Sequence, residues 1–331
     1  MPPTNELNDA FAASLEDWMP KSASYLVAVS GGLDSIVLLH FLNGAGYRSL
    51  TVFHVNHQLR GEAAELDAEL VSDTAGALDY ECVSVGVEVA KYAEEKKCSI
   101  ELAARELRYR RLQEIGMERD CPRAITAHHA DDQVETVLIN FFRGTGSKGI
   151  RGMEALSTRT RKEGDCLSLY RPFLSVRRSA LERFAEENRI EFRQDESNFD
   201  DFALRNRIRN ILIPKLNEVF ERDISTAVLR VAELAARDEE WIASSEKGFP
   251  RKENGLDVTA LREMPRAMRD RILLRWLRDE EVPDCGYDEI ERVNEILLRD
   301  ENPSKGNLPG RHHVRRRAGI LFLEKEGESA S

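Results

Sequence analysis

A chain of 331 residues, 41% hydrophobic and 32% charged, has an ordinary globular composition and room for two domains with their own cores. A net charge of −11 and a pI near 5.3 exclude a protein that coats nucleic acid nonspecifically, while leaving local basic surfaces open. Five cysteines without a C-x-x-C pair suggest neither a zinc ribbon nor a disulfide framework. A polar, acidic Met1–Pro20 and the lack of any long apolar run point to the cytoplasm and to no membrane partner.

Residues 5–19 mix apolar and acidic positions and predict a short amphipathic helix. Tyr25 to Val29 predicts the first strand, Ile36 to Leu42 a core helix stopped by Gly44 and Gly46, and Leu50 to His57 a second strand. A helix over Glu62 to Leu78, a strand over Tyr80 to Val87, helices over 88–97 and 99–118, and a strand over Arg123 to His129 follow. Asp131 to Phe142 is again helical, ending at Gly144-Thr145-Gly146. From Gly149 to Tyr170 the composition predicts a mobile loop; Arg177 to Asn188 predicts a helix and Ile190 to Arg193 a fifth strand. This alternation predicts an α/β fold with a doubly wound, mainly parallel five-stranded sheet over residues 1–217.

A helical run to Phe220, interrupted by Pro214, precedes a smaller and mostly helical domain over 218–331. Its stripes are Ile224, Val228, Val231 and Ala235, then Met268, Ile272 and Trp276, then Ile290, Val293 and Leu297. His312 to Leu323 predicts a closing hairpin that turns near Ala318-Gly319.

Between the first strand and its helix stands Ser30-Gly31-Gly32-Leu33-Asp34-Ser35. Glycines let the backbone approach an anion, the helix N-terminus favours negative charge, and Ser30 and Ser35 add hydroxyl donors. Without the lysine of a Walker A loop, binding rests on amides, hydroxyls and a cation. Asp34, beside a polyphosphate, then suits a magnesium ligand. The blander role for Asp34 is a helix N-cap, which the full string in strand-turn-helix context disfavours.

Asp131, Asp132 and Glu135 share a helical face just after His128 and His129. Acids at a helix N-terminus are favoured anyway, but three acids and two histidines at the ligand edge of such a sheet suit a cationic substrate or a metal. Arg105, Arg108 and Arg111 recur at spacings of three, either as a solvated face or as guanidiniums for a phosphate or a base. Arg205, Arg207 and Arg209, and the Arg315-Arg316-Arg317 cluster, suggest a polyanion path on an acidic protein, with solvated charge as the alternative.

The chain resembles the tRNA(Ile)-lysidine synthetases, a branch of the PP-loop (N-type) ATP pyrophosphatases with an adenine nucleotide alpha hydrolase-like fold. The resemblance is carried by SGGLDS at 30–35, HVNHQLRGEAAELD at 54–67, AARELRY at 103–109, TAHHADDQVETVL at 126–138, FRGTGSKGIRGM at 142–153, RPFL at 171–174 and DESNFDDFALRNRIRNILIPKL at 195–216. The LPGRHHVRRRAGILFLE tail is similar but less specific. The resemblance implies adenylation of the wobble cytidine of an isoleucine tRNA (CAU anticodon) with ATP and magnesium, then displacement of AMP by L-lysine. It implies pyrophosphate held by Ser30–Ser35, with Asp34 on the metal. Arg105, Arg108 and His57 fall at the cytidine, and Asp132, Glu135 and His129 at the lysine. Arg205, Arg207, Arg209 and Arg315 to Arg317 would meet tRNA. The family includes longer members with a further C-terminal domain, so this chain is either a short form or a fragment. Oligomeric state stays open, a homodimer included.

Three rivals remain: a tRNA thiolation enzyme with the same loop, a noncatalytic RNA-binding protein, and an enzyme amidating a free metabolite. The first commonly needs a C-x-x-C pair, the second would not need both an intact loop and an acidic helix, and the third leaves the basic patches without a use.

Overall fold

The computed structural model describes residues 7, 9–59, 61–160, 166–193, 204–245, 251–252, 255–299 and 305–325. The DESN segment at 195–198 lies outside them. Two compact units are formed, Met1–Ala236 and Arg237–Ser331. No helix of the described residues is long and apolar enough to cross a membrane.

The first unit runs α1 (Asp9–Glu16), β1 (Tyr25–Ala28), α2 (Leu33–Gly44), β2 (Leu50–Asn56), α3 (Glu62–Ala77), β3 (Glu81–Gly86), α4 (Val89–Lys96), α5 (Ile100–Glu118), β4 (Arg123–Ile125), α6 (Ala130–Phe142) and α7 (Ser147–Ile150). It continues with β5 (Leu156–Thr160), β6 (Cys166–Tyr170), α8 (Arg178–Asn188), α9 (Leu204–Arg207), α10 (Ile213–Phe220) and the start of α11 (Ser225–Ser245). The sheet order is β3-β2-β1-β4-β6-β5. The first five strands in that order run parallel, and β5 is an antiparallel edge on β6.

Alternation along the strands explains the layers. Tyr25, Val27 and Val52 join α2 and α8 residues such as Ile36, Leu39 and Leu181 in one core. Leu26, Phe53, Ala124 and Leu169 join Tyr109 and Leu112 of α5 in another. A sheet buried on both faces reads as a near-continuous apolar run, which is how β1 appears in the sequence.

Two expectations fail here. The segment from Gly149 to Tyr170, expected as a mobile loop, holds the end of α7 and the antiparallel pair β5 and β6. Leu167, Leu169 and Tyr170 are buried, whereas β5 is an edge strand carrying serine, threonine and arginine, and so lacks an apolar signature. Ile190 to Arg193 is not a strand, so the fifth parallel strand is β6. Ile190 is buried against the core, and the backbone N–H of Arg193 donates to the Gly31 carbonyl at 3.0 Å. The helical run through Pro214 is also not simply broken: a π-helical turn over Ile208–Leu212 precedes α10, in which Pro214 sits in the first turn. A proline has no N–H to donate to the carbonyl four residues back, and its ring crowds that turn.

The second unit contains the end of α11, β7 (Arg251–Lys252), β8 (Gly255–Asp257), α12 (Val258–Glu263), α13 (Arg266–Asp279), α14 (Tyr287–Leu298), β9 (Lys305–Leu308), β10 (His312–Arg317) and β11 (Ile320–Lys325). Its helices match the apolar stripes, but the antiparallel sheet β7-β8-β11-β10-β9 is larger than the single hairpin expected. Ile272, Trp276, Val293 and Leu297 pack with Leu256, Val314 and Leu321 from the sheet. The β10–β11 hairpin turns at Ala318 and Gly319, both at positive φ (49° and 76°), as a two-residue primed turn requires.

Candidate active site

The glycine turn closes on itself. Ser35 Oγ accepts the Ser30 N–H at 3.0 Å, lies 3.1 Å from Ser30 Oγ and donates to the Gly32 carbonyl at 3.0 Å. Gly31 takes φ +93°, a region L side chains rarely adopt, and Gly32 stands at the N-cap of α2. From outside, Asp67 of α3 backs Gly31 and accepts from Arg193 Nε at 2.6 Å. The turn is thus shaped before any anion arrives, with the first-turn amides of α2 carrying partial positive charge.

Asp34 follows in that first turn, and its Oδ1 is buried without a hydrogen-bond partner among the described residues. Burial pushes its pKa up, but His129, Arg178 and Arg209 outweigh that and hold it below the ordinary carboxylate value. An ionised, under-coordinated oxygen beside an anion cradle fits a divalent cation.

His129 is the N-cap of α6. The Asp131 N–H donates to His129 Nδ1 at 3.2 Å, and the His129 N–H donates to Asp132 Oδ2 at 3.1 Å, a reciprocal capping box. His129 Nε2 lies 3.6 Å from Asp34 Oδ2 and 3.6 Å from Asp132 Oδ2. Burial lowers the His129 pKa, yet Asp34, Asp132 and Asp131 together raise it above the ordinary value.

The three acids of α6 divide their work. Asp131 accepts from the Arg178 backbone N–H at 2.8 Å and pairs with Arg177 at 3.0 Å, which ties α6 to the start of α8. Asp132 and Glu135 face Arg209 instead, at 3.2 Å from its Nη2 and 2.5 Å from its Nε. Burial raises the Glu135 pKa despite Arg209. Arg205 donates to Thr136 Oγ1 at 3.0 Å, and Arg207 is exposed. Arg209, expected with these two as a tRNA contact, has its guanidinium taken by the acidic pair.

A second, cationic wall lies on α5. Arg105 and Arg108 sit 5.1 and 5.6 Å from the Tyr109 ring centroid, and Arg159 of β5 at 4.0 Å. Arg111, the third member of the expected stripe, pairs with Glu114 at 2.9 Å. Arg171 is buried and donates to the Glu154 carbonyl and Ser157 Oγ. Burial raises the Tyr109 pKa, but Arg105, Arg108, Arg171 and Arg159 bring it below its ordinary value. Burial lowers His128, and Arg171, Arg108, Arg105 and Arg205 lower it further. For His57, burial and then Arg108 lower the pKa to about 4. Both imidazoles are therefore neutral at pH 7, and the acidic and basic halves of the site keep opposite fields.

Sequence reasoning passed over Arg171, Arg193, Asp67 and Arg159 as individual residues. The first and third stand inside the RPFL and HVNHQLRGEAAELD stretches, which carried the signal; nothing singled out Arg159. In the second unit, Arg262, Arg315, Arg316 and Arg317 line a cavity of about 600 Å³ with Thr259 and Phe322. Arg315 pairs with Glu324 at 2.6 Å and Arg316 donates to the Leu297 carbonyl at 3.0 Å.

The PP-loop domain family matches residues 3–216. The chain belongs to the PP-loop family. A second match, to the TilS substrate binding domain, covers residues 256–322 and so includes the arginine-lined cavity. The tRNA(Ile)-lysidine synthase of Clostridium acetobutylicum is 38% identical over 220 residues, covering 66% of this chain and 46% of that protein. The enzyme of that name from Clostridium perfringens is 36% identical over 325 residues, covering 95% and 66%. That from Bacillus subtilis is 35% identical over 229 residues, covering 69% and 47%. The chain thus spans about half to two thirds of the length of these relatives. Among solved structures, a U34-tRNA thiolase from Methanococcus maripaludis superposes with a TM-score of 0.54 at 15% identity, over 69% of this chain and 78% of that one. At that identity the likeness is one of fold.

Proposed function

We propose that the chain joins L-lysine to carbon two of the wobble cytidine of isoleucine tRNA with a CAU anticodon, through an adenylated cytidine, giving lysidine and releasing AMP and pyrophosphate. The observation that carries this reading is the α6 cap. One histidine stands between Asp34, beside the phosphate turn, and Asp132, which shares Arg209 with Glu135 in a pair suited to an ammonium group. An anion site at the turn beside a cation site at the acidic pair would suit a reaction that first uses ATP and then an amine.

Each residue has a role in that scheme. The amides and hydroxyls of Ser30–Ser35 hold the leaving pyrophosphate, with no covalent chemistry needed. Asp34 would hold magnesium, which when bound supplies charge stabilisation to the phosphates. Arg105 and Arg108 bind the cytidine, whose base must leave the anticodon stack to be reached. Neutral His57 lies with them as a hydrogen-bonding group. Asp132 and Glu135, with His129 behind them, attract the lysine ammonium, and Glu135, with its raised pKa, suits the proton the amine must lose. Arg205, Arg207 and the Arg315, Arg316 and Arg317 cluster meet tRNA phosphates.

The test is nucleoside analysis of unmodified isoleucine tRNA after incubation with the protein, ATP, magnesium and lysine. Lysidine with stoichiometric AMP is expected. Thiocytidine formed with a sulfur donor, or no ATP-dependent product, would overturn the reading.

A further inference from the structure

Arg209 stands where a cationic substrate would. Its guanidinium spans both carboxylates, with Nε 2.5 Å from Glu135 Oε1 and Nη2 3.2 Å from Asp132 Oδ1. Glu135 is 1% exposed, and a carboxylate so buried is costly to keep ionised without a cation beside it. The pairing is nevertheless incomplete. Glu135 Oε2 is buried with no hydrogen-bond partner among the described residues.

The backbone beneath Arg209 is also distinctive. It lies on the π-helical turn Ile208–Leu212, and such turns occur frequently at functional sites. Ile208, next to it, is buried with Val134 and Leu138 of α6. The Arg209 side chain keeps 28% of its surface exposed. Its anchor is therefore fixed while part of its side chain reaches water.

We propose that Arg209 is an exchangeable plug: in the free protein it neutralises Asp132 and Glu135, and an alkylammonium substrate enters by displacing it. This deepens, and rests on, the lysine reading above. An ammonium group brings three N–H donors, enough for Asp132 Oδ1 and both oxygens of Glu135, including the one Arg209 leaves unmet. Two cations on one carboxylate pair repel each other, so occupancy is competitive. Free arginine can offer only the kind of bonds Arg209 already makes, and it must compete with a tethered group at high effective concentration. Displacement thus favours lysine over arginine without a separate arginine-rejecting pocket.

The test uses the full chain with Arg209→Ala, and Arg209→Lys as a second variant that keeps a cation in place. The lysine KM is measured at saturating ATP and tRNA, together with melting in millimolar guanidinium chloride against sodium chloride of equal ionic strength. For Arg209→Ala, a lysine KM about fivefold below wild type is expected, the scale of one partly exposed ion pair that no longer has to be broken. Guanidinium should raise its melting temperature and compete with lysine, and do neither in wild type. Arg209→Lys should keep a KM above that of the alanine variant. An unchanged or raised lysine KM in a folded Arg209→Ala protein would make Arg209 a fixed or cooperating residue and overturn the proposal, as would equal guanidinium responses in both proteins. If wild type makes no lysidine, the functional reading falls by itself, while the melting comparison still decides whether the cation at Asp132 and Glu135 is replaceable.

Discussion

Replacing Ser35 with alanine isolates the phosphate turn from everything built around it. Ser35 is 6% exposed, and its hydroxyl meets the Ser30 N–H, the Ser30 hydroxyl and the Gly32 carbonyl at 3.0, 3.1 and 3.0 Å. A neutral hydrogen bond contributes a net 0.5–1.5 kcal/mol, roughly, and a buried group left unmet costs about 1–3 kcal/mol. Ser30 is exposed and Gly32 half-buried, so water can recover part of their bonding. The expected loss is therefore about 2 kcal/mol rather than three full bonds. For a unit of this size that is a melting decrease of roughly 4–8 °C. Differential scanning calorimetry with and without ATP reads both parts: the apo loss, and a smaller ATP-induced rise because the turn is no longer preset. A Ser35→Ala protein melting within about 1 °C of wild type, with the ATP-induced rise intact, would refute the idea that this hydroxyl shapes the cradle.

Asp34→Ala should abolish ATP-dependent pyrophosphate release while leaving the chain folded, read by single-turnover assays with labelled ATP; retained release would remove Asp34 from the metal role. His57 has a folded pKa of about 4 against an ordinary 6.5, so below pH 6.5 the unfolded chain takes up a proton that the folded chain refuses. Stability from this group is thus lost as pH falls from about 6.5 to about 4, and His57→Asn should flatten that part of the pH–stability curve measured in urea. The triple Arg315→Ala, Arg316→Ala, Arg317→Ala variant should weaken tRNA binding and flatten its logarithmic salt dependence by roughly 0.7–0.9 for each phosphate no longer neutralised. An unchanged slope would return the cluster to solvated charge.

What is legible in the sequence follows from how local each signal is. The phosphate turn needs six consecutive residues, and α6 begins with its acids in the same string as its histidine cap, so both are readable. The apolar runs of β1 and β2 are readable because those strands are buried on both faces. The antiparallel pair β5 and β6 is not, since β5 carries Ser157, Thr158 and Arg159 on an edge, where composition matches a loop. Nor is the destination of Arg209. On a helical projection Arg205 and Arg209 share a face, and only the π-turn and its packing on α6 separate Arg205, on Thr136, from Arg209, on Glu135. The Arg193–Asp67 clamp behind Gly31 joins residues 126 positions apart, a distance over which no local pattern speaks.

The decisive contrast in the site is between carboxylates that differ in environment more than in type. Asp34 is held below its ordinary pKa by His129 and two arginines, although burial opposes them; Glu135 is raised because burial wins over Arg209. In the proposed scheme, groups pushed apart in this way would divide the chemistry between them, one remaining charged and the other able to exchange a proton. His129 connects them under a constraint of its own. Because its Nδ1 accepts from the Asp131 N–H, the ring proton of the neutral form lies on Nε2, toward Asp34 and Asp132. A second proton would answer the surrounding negative charge, which raises the His129 pKa, but only by giving up the capping bond at Nδ1. A cation near Asp34, or an ammonium near Asp132, weakens the case for that second proton. In the proposed scheme, loading either half of the site would therefore favour the neutral, helix-capping histidine.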